Sequence, residues 1–255
     1  MKIYPEGLIV IPARYNSHRL PGKALKDIAG KTMIRRTYER AVLSGMDAMV
    51  VTDDKRIVDE CLSHDIPVDI VTAPCFTGTD RVARFAQKVD KKWFINLQGD
   101  EPFANPDDIL RVARQMDIGD HREVVNGMAK ITNSDDLFNT AIPKVITKDG
   151  RLLYMTRAPV PYPFSGKNTD YYGHQQVCIY GYFKHHLEQF LAQPEKTFYE
   201  NIEDIEMLRF HEMGIRIRML ELEGSPLHVD TENDLSRAQL IAKDFDDLEE
   251  SVDIR

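Results

Sequence analysis

The sequence predicts an α/β fold of three layers, a mostly parallel sheet with helices on both faces, in one domain that carries a small β-rich insertion near residues 124–185. Apolar runs of strand length alternate with amphipathic segments through the first two thirds of the chain. The first run opens into a polar, basic loop, the place where open α/β sheets hold their ligands. The 255 residues, 42% of them hydrophobic, are enough for one large core, and they contain no repeat, low-complexity stretch or linker that would divide it.

Leu8 to Ile11 is the first strand candidate, followed by Ala48 to Thr52, Val68 to Val71 and Trp93 to Gln98, each short, apolar and ended by polar or turn residues. Between them, Thr32 to Ser44, Asp54 to Ser63 and Asp80 to Lys88 carry apolar residues at helical spacing, with Met33, Ile34, Tyr38, Ala41 and Val42 on one face. From Val124 the alternation loosens into strands over Val124 to Ile131, Pro143 to Thr147, Leu152 to Met155 and Val177 to Phe183. The prolines of Pro159-Val-Pro-Tyr-Pro163 exclude a helix or a central strand and predict an ordered loop or lid hinge. A helix over Tyr199 to Met213, a strand over Ile215 to Glu221 and a final helix over Asp230 to Phe245 complete the order.

A net charge of -8 gives no overall field to attract nucleic acid or an anionic membrane, so a polyphosphate site must be a local basic cluster. No apolar stretch approaches the eighteen residues of a membrane span, and the expectation is a cytoplasmic protein. Cys61, Cys75 and Cys178 fall in no metal-ligand spacing and are expected as free thiols. His211-Glu-Met-Gly lacks the second histidine of a zincin helix, His185-His186 has no partner in ligand spacing, and Asp53-Asp54 is a strand end that caps a helix.

Ile11-Pro-Ala-Arg-Tyr-Asn-Ser-His-Arg-Leu-Pro-Gly-Lys23 brings Arg14, Arg19 and Lys23 into one loop beside Gly22. Two guanidiniums, an ammonium and loop amides suit a triphosphate, although the pattern is neither a P-loop nor G-x-G-x-x-G. The residues alone leave a basic surface loop as an equal reading. In Asn96-Leu-Gln-Gly-Asp-Glu-Pro102, an apolar strand ends in a glycine turn that presents Gln98, Asp100 and Glu101. A carboxylate there can hold a hard cation or cap the next helix, for which Asn105 is the better cap. Asp230, just before a helix, has the same two readings.

These segments resemble, in order, those of the 3-deoxy-manno-octulosonate cytidylyltransferases, the CMP-Kdo synthetases. That family's opening runs close to I-P-A-R-Y-x-S-x-R-L-P-G-K-x-L-x-D-I-x-G-K-x-M-I, and Ile11 to Ile34 matches nearly throughout. Val51-Thr-Asp-Asp54, Thr77-Gly-Thr-Asp-Arg81, the Asn96–Pro102 turn, Met155-Thr-Arg-Ala-Pro-Val-Pro-Tyr162, Ile179-Tyr-Gly-Tyr182 and Val229-Asp-Thr231 follow, so the likeness spans nearly the whole chain. It implies a nucleotide-diphospho-sugar transferase-like (Rossmann-like) fold, and an enzyme that joins CTP to a 3-deoxy sugar acid with release of pyrophosphate.

The resemblance implies CTP binding by Pro12, Ala13, Arg14, Arg19, Lys23, Thr52, Thr77, Gly78, Thr79, Arg81 and Asp100. It implies Mg²⁺ on Asp100 and Asp230, and catalysis carried by Arg14, Lys23 and those two aspartates. Gln98, Arg157, Gln176, Tyr180, Tyr182, Glu206 and Met207 are expected on the sugar. It further implies a homodimer through the β-rich part, serving lipopolysaccharide or capsule-type glycan synthesis.

The chain departs from the family on the sugar side. Gln176 stands where the family usually has a histidine, and Met207 interrupts an L-E-Q-L-R helix in Ile205-Glu-Met-Leu-Arg209. A buried polar group left unpaired costs about 1–3 kcal/mol, so the two changes together predict a modified Kdo-like acid, amino- or acyl-substituted, rather than Kdo itself. The alternative is that His174 substitutes locally and the sugar is unchanged. Two other classes stay open, a nucleotide-binding relative without turnover and a nucleotidyltransferase for another acidic sugar or a sugar phosphate. The intact basic loop and both aspartates speak against the first, and the absence of a glycine-rich opening against the second.

Overall fold

The computed structural model describes residues 3–17, 19–162, 164 and 173–252, with side chains described as far as Phe245. His18 and Pro163 lie outside those residues. In chain order the elements are β1 (Gly7–Ala13), a 3-10 turn (Lys23–Leu25), β2 (Asp27–Ile28), β3 (Lys31–Thr32), α1 (Met33–Leu43), β4 (Ala48–Thr52), α2 (Lys55–Ser63), β5 (Val68–Ile70), α3 (Gly78–Ala86) and β6 (Trp93–Leu97). There follow α4 (Pro106–Ile118), β7 (Glu123–Lys130), α5 (Ser134–Phe138), β8 (Lys144–Lys148), β9 (Arg151–Thr156), β10 (His174–Phe183), α6 (Lys184–Ala192), α7 (Phe198–Glu203), α8 (Met207–Glu212), β11 (Arg216–Glu221) and α9 (Glu232–Val252).

An unbroken apolar run can be satisfied only between two layers, and β1 is buried along its whole length. Its alternate side chains divide between the faces. Ile9 and Ile11 share a core with Ile34 and Ala41 of α1, Ile57 of α2 and Ile109 of α4. Leu8 and Val10 share another with Val82 and Phe85 of α3, Phe190 of α6 and Phe210 of α8. Helices on both faces follow directly from that division.

The nine-stranded sheet runs β5-β4-β1-β6-β10-β7-β11-β9-β8. β1 pairs in parallel with β4 and β6, and β4 with β5. β10 lies antiparallel between β6 and β7. Residues 124–185 thus supply β8 and β9 at one edge and β7 and β10 inside the sheet, so this β-rich stretch continues the main sheet. The chain leaves β1 toward β4 and β5, then returns to β6 on the other side. That reversal opens a crevice beyond the carboxyl ends of β1 and β6.

The single helix expected over Tyr199 to Met213 is two, α7 and α8, because Asp204 turns left-handed at φ 52. The helical spacing of the apolar residues carries across this break, which is why the sequence hides it. α4 is capped by Asn105, whose side chain accepts from Asp107 N–H, and Pro106 stands at its first turn. Residues 158–162, where the prolines exclude regular structure, are neither helix nor strand. Among the described residues no helix is long and apolar enough to cross a membrane. The three cysteines are free, and burial pushes the thiols of Cys61 and Cys178 up to about 12.

Arg209, wholly buried, ties the break to the crevice. It stacks on Phe190, donates to both Glu200 oxygens at 2.7 Å and reaches Asp80 Oδ1 at 3.0 Å. Asp80 in turn closes a capping box with Thr77 at the start of α3. Removing the cation strands buried carboxylates. Arg209→Met is expected to cost about 3–5 kcal/mol, seen as a large fall in the thermal midpoint.

Candidate active site

The floor of the crevice is made of backbone in close approach. A Cβ on Gly78 would lie 2.9 Å from Gln98 Nε2 and 3.1 Å from Pro12 Cγ, and one on Gly99 would lie 2.8 Å from the Pro12 carbonyl. The ends of β1 and β6 and the first turn of α3 therefore meet at positions that only glycine fits. Pro12, Ala13, Arg14, Lys23, Thr77, Gly78, Arg81, Gln98 and Asp100 line the cleft. Phe76 and Cys75, which the sequence does not mark as site residues, also line it.

The basic loop is held from behind. Leu20, Ile28 and Met33 pack with Leu227, Val229 and Leu235 in a satellite core, each fully buried side chain contributing about 1.5–3 kcal/mol. Gly22, at φ 67, gives the turn that delivers Lys23. Arg14 stays exposed at the mouth. Arg81 is buried and pairs with Asp53, which accounts for that acid beyond capping, while Asp54 caps α2. Thr52 is wholly buried at the end of β4 and accepts from Asp54 N–H, below the cleft.

The same satellite core brings Asp230 to the loop. Lys23 Nζ donates to Asp100 Oδ2 and, at 2.9 Å, to Asp230 Oδ1. Arg19 Nη2 reaches Asp230 Oδ2 at 2.8 Å. Asp230 does not cap α9; Thr231 and Asp234 share that work. His228 joins the group, with Nε2 3.1 Å from Asp230 Oδ2 and 3.6 Å from Asp100 Oδ2, and Nδ1 3.0 Å from Glu101 Oε1. Sequence reasoning missed His228 and the use of Glu101. The available signal was alternation, since Leu227 and Val229 face the core and place His228 and Asp230 together on the other side.

Burial alone would raise both aspartates, but the charges of His228 and Lys23 outweigh it and hold them below the usual carboxylate range. Burial alone would lower Lys23 and His228, and the facing carboxylates raise both instead. Asp100, His228 and Asp230 each offer one ligand atom within 4.8 Å of the others, and Asp100 Oδ1 is buried without a hydrogen-bond partner. Two anionic oxygens beside an orphaned one fit a divalent cation.

At the far end, Glu206 accepts from Thr79 N–H at 3.0 Å and from Gln98 Nε2 at 2.9 Å, and burial raises its pKa. Tyr182 is fully buried, its hydroxyl 3.0 Å from Thr79 Oγ1 and 3.7 Å from the Met207 sulfur. Met207 is equally buried, and Tyr180 stacks on Tyr182. Gln176 donates to Asn126 at 3.0 Å. The Arg157 guanidinium is spread over the carbonyls of Glu203, Thr140, Ala141 and Asp204.

A cytidylyltransferase family model matches residues 8–217. The 3-deoxy-manno-octulosonate cytidylyltransferase of Coxiella burnetii is 38% identical over 245 residues, 91% of this chain and 97% of that protein. Its counterpart from Flavobacterium johnsoniae is 36% identical over 244 residues, 93% and 99% of the two chains. A solved CMP:2-keto-3-deoxy-manno-octonic acid synthetase complexed with CTP superposes with a TM-score of 0.84 at 34% identity, covering 93% of this chain and 99% of its own.

The close backbone approach beneath the cleft has a measurable cost of disturbance. Gly99→Ala forces a methyl against the Pro12 carbonyl and is expected to destabilise the fold by about 1–3 kcal/mol in thermal or urea unfolding.

Proposed function

The chain belongs to the 3-deoxy-manno-octulosonate cytidylyltransferase family, and on that premise we propose that it condenses CTP with Kdo or a Kdo-like 2-keto sugar acid, giving a CMP-sugar and pyrophosphate. The observation that carries this reading is the convergence of Lys23, Asp100 and Asp230 beside Arg14 and Arg19 at the sheet's crevice. It is a compact set of cations and carboxylates where a triphosphate and its cation would sit.

In this mechanism the anomeric 2-hydroxyl of the sugar acid attacks the α-phosphorus of CTP in line. The new O–P bond forms as the bond to the β-phosphate oxygen breaks, and the hydroxyl proton leaves to solvent. Arg14, Arg19 and Lys23 hold the β and γ phosphates and offset the charge that grows on the leaving group. For Lys23 this means exchanging carboxylate partners for phosphate oxygens. Asp100 and Asp230 would hold Mg²⁺, which when bound lowers the pKa of the attacking hydroxyl and screens the α-phosphate. Positioning supplies much of the rest.

Thr77, Gly78, Thr79 and Arg81 at the start of α3 recognise cytosine, with Gly78 packed closely against Pro12 and Gln98 beside them. Gln98, Glu206 and Arg157 orient the sugar, Arg157 meeting its carboxylate by giving up carbonyl partners. Gln176, Tyr180, Tyr182 and Met207 shape the walls behind them. The same reading makes the protein a cytoplasmic homodimer that feeds lipopolysaccharide or capsule-type glycan assembly.

Pyrophosphate release from CTP across a panel of Kdo, amino-substituted Kdo, a nine-carbon sugar acid and a sugar 1-phosphate tests the reading. Turnover is expected with the octulosonates, and turnover with the sugar phosphate alone would sink it. Within the same assay Asp100→Asn is expected to lose activity by orders of magnitude while keeping its melting temperature. Near-normal turnover in that variant would remove Asp100 from the cation site.

A further inference from the structure

Aspartate pairs that hold Mg²⁺ ordinarily leave the remaining positions to water and substrate oxygens, because this hard cation dehydrates reluctantly. Here a third protein group stands at the pair. His228 Nε2 lies 3.1 Å from Asp230 Oδ2 and 3.6 Å from Asp100 Oδ2, so its ring nitrogen converges on the space the two carboxylates bound. Its other nitrogen is anchored by Glu101 Oε1 at 3.0 Å. Glu101 is only 5% exposed and its second oxygen has no hydrogen-bond partner. A buried carboxylate that fixes the ring while the opposite nitrogen faces a pair of anionic oxygens is the arrangement that orients an imidazole metal ligand.

The backbone supports the same geometry. Val229, between the two ligating positions, is wholly buried, and its N–H donates to the Asp100 carbonyl at 3.3 Å. That bond fastens the segment carrying His228 and Asp230 directly to the turn carrying Asp100 and Glu101. The ligands therefore come from two strapped segments rather than from independent loops.

We propose that His228 Nε2 is a third protein ligand to the cation held by Asp100 and Asp230, with Glu101 as its positioning residue. A site with two carboxylate oxygens and one imidazole nitrogen favours a transition-metal cation such as Mn²⁺ over Mg²⁺, because a first-row transition metal accepts imidazole more readily than Mg²⁺ does. Mn²⁺ displaces Lys23 Nζ, which bonds both aspartates, and the proton on His228 Nε2 leaves to solvent as that nitrogen takes up the metal. This assignment rests on reading Asp100 and Asp230 as the metal pair.

The test is pulsed electron paramagnetic resonance of Mn²⁺ added to the full chain, prepared with ¹⁴N and with ¹⁵N throughout. The expected result is a coupling from a directly bound nitrogen that changes with the isotope and disappears in His228→Gln. Glu101→Gln is expected to keep the coupling, alter its magnitude and weaken Mn²⁺ binding roughly tenfold, as orienting partners of metal-bound histidines do. In competition, Mg²⁺ is expected to be needed in about tenfold or greater excess to displace Mn²⁺ from the parent protein, an excess that shrinks in His228→Gln. Bound Mn²⁺ without a protein nitrogen coupling in the parent spectrum overturns the proposal and leaves the aspartate pair standing. Failure to bind Mn²⁺ at all, with or without CTP, overturns both.

Discussion

Everything at this site depends on keeping Asp100 and Asp230 close together inside the protein. Two carboxylates sharing so little solvent repel one another and are costly to bury. They are tolerated because Lys23 bonds both and His228 lies against both. The cost of the arrangement is met by a satellite core that exists to hold it, in which Leu20 from the basic loop packs with Leu227 and Val229 from the segment before Asp230. Distant parts of the chain are pinned together there, and the basic loop is the surface of that contact.

The sheet explains why the site has to be where it is. Between β1 and β6 the strand order reverses, so loops from two adjacent parallel strands diverge there and leave a crevice. The glycines at 78 and 99 then let three backbone segments close its floor. Side chains with long reach, Arg14, Arg19 and Lys23, come from the wall rather than the floor.

Much of this was legible in the sequence, and the limits have physical reasons. Strands buried on both faces announce themselves as unbroken apolar runs, so β1, β4 and β6 could be placed to within a residue or two. The basic loop could be named because its motif is long, and the two aspartates because the family resemblance singled them out. The break at Asp204 could not, since one left-handed residue leaves helical periodicity intact on either side. Nor could the occupation of Arg157 by four carbonyls, because backbone acceptors leave no trace in side-chain identity. Met207 stands in sequence where a family glutamine would offer hydrogen bonds, yet the structure buries it against Tyr182, within the wall. His228 stands immediately before the matched Val229-Asp-Thr231 and so falls outside it.

The break between α7 and α8 has one more consequence. It frees Glu206 to accept from the α3 backbone at Thr79 with one oxygen and from Gln98 with the other. A single carboxylate is thereby a rivet between the first turn of α3 and the end of β6. Neither half can shift by the length of a hydrogen bond without dragging the other. The two segments that line the cleft are thus one rigid jaw under a common mechanical constraint.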